Sequence, residues 1–179
     1  LWKTPLILLF HAQGNGSEKV WSMDLTAFPI TLRHTVGESY LDEMGHMNVM
    51  WYIHLFSRAA GNLFAMLGLN EDYFVINQAG TFALQMHVRY LKEVRAGNSV
   101  VIRSRVLGRS VKRMHFIHFM CLEETGKLAA TEEAIGTHVD MKTRRTSPLP
   151  AHVTEAFDRL LAEHGKQGVE ARLCGVMKP

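Results

Sequence analysis

Ahead of a long apolar-periodic stretch the chain reads Asp42-Glu43-Met44-Gly45-His46-Met47-Asn48-Val49. A carboxylate, an imidazole and an amide thus fall together where a helix is about to begin. The free N–H groups of a helix's first turn, at the positive end of its dipole, stabilise a developing oxyanion. A carboxylate beside them can attack a carbonyl or take a proton from water. The same residue types also do plainer work. Asp and Asn are ordinary helix caps, and on types alone Asp42 and Asn48 can cap while His46 lies on the surface. Gly45 removes a side chain where a ligand or a backbone has to come close.

The elements that hold this loop are legible in the pattern around it. Val49, Tyr52, Ile53, Phe56, Ala60, Leu63, Phe64 and Leu67 recur at three- and four-residue steps, which predicts one long helix. Asn48 is its expected N-cap and Gly68 its stop. An apolar stripe of that length belongs inside something that wraps around it. Phe28 to Val36 reads as a strand before the helix, followed by a polar loop, Gly37 to Ser39. After it, Phe82, Leu84, Met86, Val88 and Tyr90 alternate with polar or small residues, giving a strand with one apolar face. Turns at Arg95-Ala96-Gly97-Asn98, Gly108-Arg109-Ser110 and Glu124-Thr125-Gly126-Lys127 separate three more strands, Ser99 to Leu107, Val111 to Leu122 and Leu128 to Met141. Short Gly-containing connections imply that successive strands are antiparallel neighbours. Pro148 and Pro150 end the sheet region, and Val153, Phe157, Leu160 and Leu161 mark a shorter amphipathic helix. The expected class is α+β, a hotdog arrangement in which a curved antiparallel sheet wraps one central helix.

Composition narrows the field. At 179 residues, 47% hydrophobic and 21% charged, the chain is one domain with a substantial core and not a disordered or low-complexity polymer. The expected layout is an N-terminal appendage over 1–24, with Met23 as an alternative start, a hotdog domain over 25–165 and a tail over 166–179. Pro5 to Phe10 is too short to span a bilayer and lacks signal-peptide features. Two cysteines, Cys121 and Cys174, suit a reducing compartment, so a soluble cytoplasmic protein without membrane partners is expected. Twenty Lys+Arg against 17 Asp+Glu give a net charge of +3, with no basic run or zinc-finger spacing of a nucleic-acid binder. The basic residues gather locally instead: Arg103 and Arg105, Arg109 with Lys112 and Arg113, then Lys142, Arg144 and Arg145. Such groups suit a small polyanion, or simply solvated strand ends. Among the ten histidines, His115 and His118 lie three apart on one strand and face opposite sides, and no metal site is expected. The methionines read as core filler and Cys121 as a buried thiol.

The stretch Leu41-Asp42-Glu43-Met44-Gly45-His46-Met47-Asn48-Val49-Met50-Trp51-Tyr52 resembles the signature of the 4-hydroxybenzoyl-CoA thioesterase family of hotdog acyl-CoA thioesterases. Asp42, Gly45, His46, Asn48 and Tyr52 occupy the family's places. The likeness extends through Arg89-Tyr90-Leu91-Lys92-Glu93-Val94, Ala96-Gly97, Ala129-Ala130-Thr131, His138-Val139-Asp140 and Arg144-Arg145 to Pro148 and Pro150, covering about Phe28 to Leu161. The resemblance implies an acyl-CoA substrate and no separate cofactor, since coenzyme A is part of the substrate. It makes Asp42 the essential carboxylate, as nucleophile or general base, and the Val49 backbone N–H the oxyanion donor. His46 and Asn48 orient water, carbonyl or Asp42, and Tyr52 packs inside the helix stripe. Arg109, Lys112, Arg113, Arg144 and Arg145 become candidates for the CoA phosphates. A homodimer, or a dimer of dimers, is implied because the family's site forms between subunits and a lone curved sheet leaves an edge.

Hotdog hydratases space their Asp and His more widely and include Asn-Pro, whereas Asp42 and His46 are four apart with no Pro between, which argues against hydration. Two other readings compete. A non-catalytic acyl-CoA sensor would keep the basic rim without needing Asp42. Lys112-Arg113-Met114-His115 with Arg144-Arg145 resembles thioesterases for betaine-like CoA esters, whose quaternary ammonium wants an aromatic cage. Trp51 with Tyr73 or Phe82 is the expected source, although that subgroup tends to have Tyr-Asn where this chain has Glu43-Met44.

Overall fold

In a computed structural model, which describes residues 25–166 and 173–179, the stretch after Asn48 forms helix α1 (Val49–Met66). The expected appendage over 1–24 lies outside the described residues, as do 167–172 of the expected tail. Asn48 caps α1: its side-chain oxygen accepts from the Met50 N–H at 2.9 Å. The helix stops where Gly68 adopts φ +95°, a left-handed conformation that suits glycine. The buried face comprises Tyr52, Leu55, Phe56, Ala59, Leu63 and Phe64. It is rotated from the expected stripe: Val49 is 51% exposed, while Leu55 and Ala59 enter the core.

Among the described residues a six-stranded antiparallel sheet curls about this face. It comprises β1 (Ile30–Thr35), β2 (Ala79–Tyr90), β3 (Ser99–Arg109), β4 (Arg113–Leu122), β5 (Leu128–Asp140) and the short β6 (Arg145–Thr146). The order is β1-β3-β4-β5-β2, with β6 paired to the end of β5. The β3–β4 and β4–β5 hairpins follow from their turns. The expected β2–β3 pairing does not form. β2 pairs with β5, because the segment after Tyr90 does not fold back but crosses the ends of the intervening strands. Along that crossing the Leu91 and Lys92 N–H groups donate to the Ala129 carbonyl at 2.8 and 3.0 Å, and the Gly97 N–H donates to Val36 at 2.8 Å. Outermost among the described strands, β2 also has an apolar row that no described residue covers: Phe82, Leu84 and Met86 are 37%, 45% and 49% exposed.

The core lies between α1 and the concave face. Near the start of α1, Tyr52, Leu55 and Phe56 pack with Ile102 and Met120. Near its end, Leu63 and Phe64 pack with Met114, Phe116 and, from helix α3 (Ala151–Gly165), Val153 and Phe157. Each such fully buried side chain contributes roughly 1.5–3 kcal/mol. α3 also protects an edge. β1 pairs with β3 only as far as Arg103, and beyond that point His164 Nδ1 accepts from the Val106 N–H at 3.1 Å. On the convex face, Leu25 and Phe28 cover Ile117 and Phe119, held by Arg103, whose Nη1 donates to the Phe28 carbonyl at 2.6 Å. A short helix the sequence did not announce, α2 (Glu71–Asn77), precedes β2 and is capped by Asn70. Among the described residues no helix is long and apolar enough to cross a membrane.

Candidate active site

Asp42 sits on a tight turn tied at both ends. Its N–H donates to the His46 carbonyl at 2.9 Å and its carbonyl accepts from the Gly45 N–H at 3.0 Å. Leu41 and Met47 form a bridge across the base. Gly45 has φ +79°, and no atom lies within 4 Å of where its Cβ would be. Glycine suits the left-handed backbone of this turn, and among the described residues no backbone makes the expected close approach. Asp42 Oδ1 accepts from the Met44 N–H at 2.9 Å, and Oδ2 lies 3.3 Å from His46 Nδ1. The side chains of Asp42 and His46 remain 27% and 30% exposed, open to an incoming group. Next in the chain, Asn48 uses its side-chain oxygen as the helix cap, which leaves its NH2 free to donate to a ligand. Among the described residues the Val49 N–H has no acceptor. The carboxylate and a free first-turn N–H thus flank the same helix start.

Tyr52 packs, as expected. Its phenol reaches the Lys92 carbonyl at 3.5 Å and its ring meets Tyr90 edge-on at 5.0 Å. Burial pushes its pKa up to about 12, so it stays a neutral phenol.

The basic residues separate into two groups. Arg109 is committed to α3, gripping both carboxylate oxygens of Asp158 at 2.7 and 2.5 Å, and this contact raises its pKa. It is structural and not a free phosphate ligand. Lys112, Arg113, Arg144 and Arg145 are exposed together around the start of β4 and the strand β6. Lys112 Nζ reaches the Thr146 carbonyl at 3.5 Å, and the Arg144 guanidinium lies 5.6 Å above the Phe82 ring. The proposed aromatic cage is not assembled by its expected members. Trp51 stacks on Tyr40 with centroids 3.9 Å apart, and the Tyr73 hydroxyl meets His138 Nε2 at 3.0 Å. Phe82 alone of the three lines a cavity between α1, β2 and β5.

That cavity, about 300 Å³, contains the feature the sequence reading missed: Glu132 lies in its wall and is 2% exposed. A polar row leads to it across the concave face. Thr31 and Ser104 hydroxyls are 2.6 Å apart, Ser104 Oγ is 2.6 Å from His118 Nδ1, and His118 stands directly opposite Glu132. Total burial drops the His118 pKa to about 3, and burial pushes Glu132 up to about 7. On the other face Glu133 pairs with His115 at 2.9 Å and accepts from the Cys174 N–H at 2.6 Å. His115 and His118 therefore face opposite sides, as their spacing requires. Two adjacent acids inside an Ala-rich strand were the overlooked signal.

Comparison with known proteins settles the family. The profile of the Thioesterase-like superfamily matches residues 36–157, the span from the end of β1 into α3. The chain belongs to the thioesterase-like superfamily. Within it, the chain is 31% identical to an L-carnitine dehydrogenase/betainyl-CoA thioesterase of Agrobacterium fabrum over 80% of its own length, but spans only 31% of that protein. A betainyl-CoA thioesterase of Pseudomonas aeruginosa is 30% identical, over 70% of this chain and 79% of that one. The hotdog fold is shared with a Staphylococcus aureus protein solved in complex with CoA, at TM-score 0.71 and 20% identity, over 82% of this chain and 96% of that one.

Proposed function

We propose that this chain hydrolyses an acyl-CoA thioester to the free acid and CoA, and that Asp42 carries the reaction. The observations behind this are the partly exposed Asp42 carboxylate on the turn that leads into α1 and the unengaged Val49 N–H at the start of that helix. The thioester oxygen, facing that N–H and the helix dipole, takes up negative charge as the carbonyl carbon becomes tetrahedral. In one route Asp42 attacks the carbon, CoA leaves as thiolate, and water hydrolyses the resulting anhydride. In the other, Asp42 removes a proton from water, the hydroxide adds, and the thiolate departs and is then protonated. A thiol pKa of about 8.5 makes that departure feasible without a strong acid. His46, 3.3 Å from Oδ2, orients the carboxylate. Lys112, Arg113, Arg144 and Arg145 receive the phosphates of CoA, and no cofactor beyond the substrate takes part.

A panel of acyl-CoA esters, followed by thiol release, tests this. The native protein is expected to hydrolyse at least one ester, with Asp42→Asn slower by about 10²-fold or more. Equal rates remove Asp42 from the mechanism, and CoA binding without turnover favours a sensor. A betaine-type ester is the more specific substrate reading, favoured by the names of the relatives above.

The working form is a homodimer, or a dimer of such dimers. Its basis is the outer edge of β2 with the uncovered Phe82, Leu84 and Met86, a combination that soluble chains cover. Both described cysteines, Cys121 and Cys174, are unpaired, which fits a reducing, cytoplasmic setting.

A further inference from the structure

We propose that Glu132 is the specificity residue of the acyl site, and that it selects a short acyl group ending in a cation such as a quaternary ammonium. The inference deepens the thioesterase reading and rests on it for the identity of the cavity. Glu132 is 98% buried by its 2% exposure, yet among the described residues no hydrogen bond or ion pair reaches its carboxylate. Buried acids are normally paired, and an orphan one calls for a reason. Among the described residues, the titratable groups that face it supply no counter-ion. His118, opposite on β4, is neutral because burial drops its pKa to about 3. Tyr90, toward the end of β2, is a phenol whose pKa Glu132 itself helps raise. Phe64 from α1, Phe82 and Met86 from β2, and Phe116 from β4 line the cavity with Glu132, alongside the smaller polar side chains of Ser57 and Thr81.

This combination fits one kind of guest. Aromatic faces and a polarisable thioether attract a weakly hydrated cation, and a buried carboxylate binds it with little competition from water. A neutral acyl chain would leave the acid orphaned. The size agrees, since about 300 Å³ is at the small end of ligand cavities, which run from about 300 to 1,000 Å³. Position agrees as well. If two copies pair β2 to β2 about a two-fold axis near the strand's midpoint, the Tyr90 end of one strand faces the Gly80 end of the other. Tyr90 packs on Tyr52, whose phenol senses the charge of Asp42. Such pairing would bring the partner's Asp42 toward the Phe82 end of this chain's β2, where Phe82 lines the cavity.

The test uses two non-cleavable thioethers of CoA, one bearing a 2-trimethylammonioethyl group and the other its neutral 3,3-dimethylbutyl isostere. Binding is measured by calorimetry on the native protein and on Glu132→Gln. The native protein is expected to prefer the cation by about tenfold or more, and Glu132→Gln to lose that preference while holding the neutral thioether within about threefold. On the native protein alone, the preference is expected to grow from pH 6 to pH 8 as Glu132 ionises, and the ratio of the two thioethers cancels the titration of the CoA phosphates. No preference in the native protein, or an undiminished one in Glu132→Gln, overturns the proposal. Cation preference without hydrolysis of any ester supports it and removes the hydrolase reading. Hydrolysis without cation preference does the reverse.

Discussion

The Met47 N–H donates to the Val94 carbonyl over 2.7 Å. This bond ties the Asp42 turn to the crossing segment that leads from β2 to β3, and both partners are buried in the core that α1 caps. Just beyond it, the Asn48 N–H donates to the Tyr40 carbonyl at 2.9 Å. The turn is thus fastened at its rear, with Asp42 and His46 projecting from its free end.

Gly45 is where that turn is most sensitive. Its φ of +79° disfavours any residue with a Cβ, and nothing nearby would clash, so the effect is conformational only. Gly45→Ala is expected to lower stability by about 1–2 kcal/mol and to reduce turnover by displacing Asp42. Gly45→Asn, which tolerates this conformation better, should recover part of both. Denaturant melts and thiol-release rates on the two variants check it; equal damage from Ala and Asn would mean the turn tolerates no side chain for another reason.

The two groups of basic residues should separate kinetically. Arg109 is occupied by Asp158, whereas Arg144 is exposed over Phe82 at the cavity wall. Arg144→Ala is expected to raise KM for an acyl-CoA by about threefold to tenfold, with Arg109→Ala leaving KM unchanged. Steady-state kinetics on both decides, and a raised KM in Arg109→Ala would return that side chain to the substrate.

How much of this was legible depended on whether the signal was local. The eight apolar residues from Val49 to Leu67 repeat at helical steps, so α1, its Asn48 cap and the acid before it could be read directly. Two of the three inter-strand turns were read correctly for the same reason. The third failed because β2 and β3 are joined by a segment that crosses β5 and β4, and that path is fixed by bonds to Ala129 and Val36 that no short-range pattern records. Arg109 looked like its basic neighbours until α3 brought Asp158 to it. Glu132 was hidden differently. Beside Glu133 it reads as a solvated pair, and only the alternation of faces in a strand covered on both sides separates an acid paired with His115 from one left orphaned.

That orphaned acid makes a prediction about stability that needs no substrate. Burial raises Glu132 from the ordinary 4.5 to about 7. Between those values the folded chain keeps a proton that the unfolded chain has released, so this group's contribution is full below about pH 4.5 and is lost as pH rises through 7. Glu132→Gln has no such loss. The variant is therefore expected to exceed the native protein in stability at pH 8, by on the order of 1–3 kcal/mol, and the gap should narrow steadily toward pH 4.5. His118 acts in the opposite direction: with its pKa near 3 in the fold, it weakens the protein as pH falls below about 6.5, the ordinary histidine value. It is present in both proteins and cancels in their difference. Denaturant melts of the pair at several pH values measure the gap. A variant no more stable than the native protein at pH 8 would mean that the carboxylate already has a counter-charge inside the fold, and a cation from the substrate would then have no vacancy to fill.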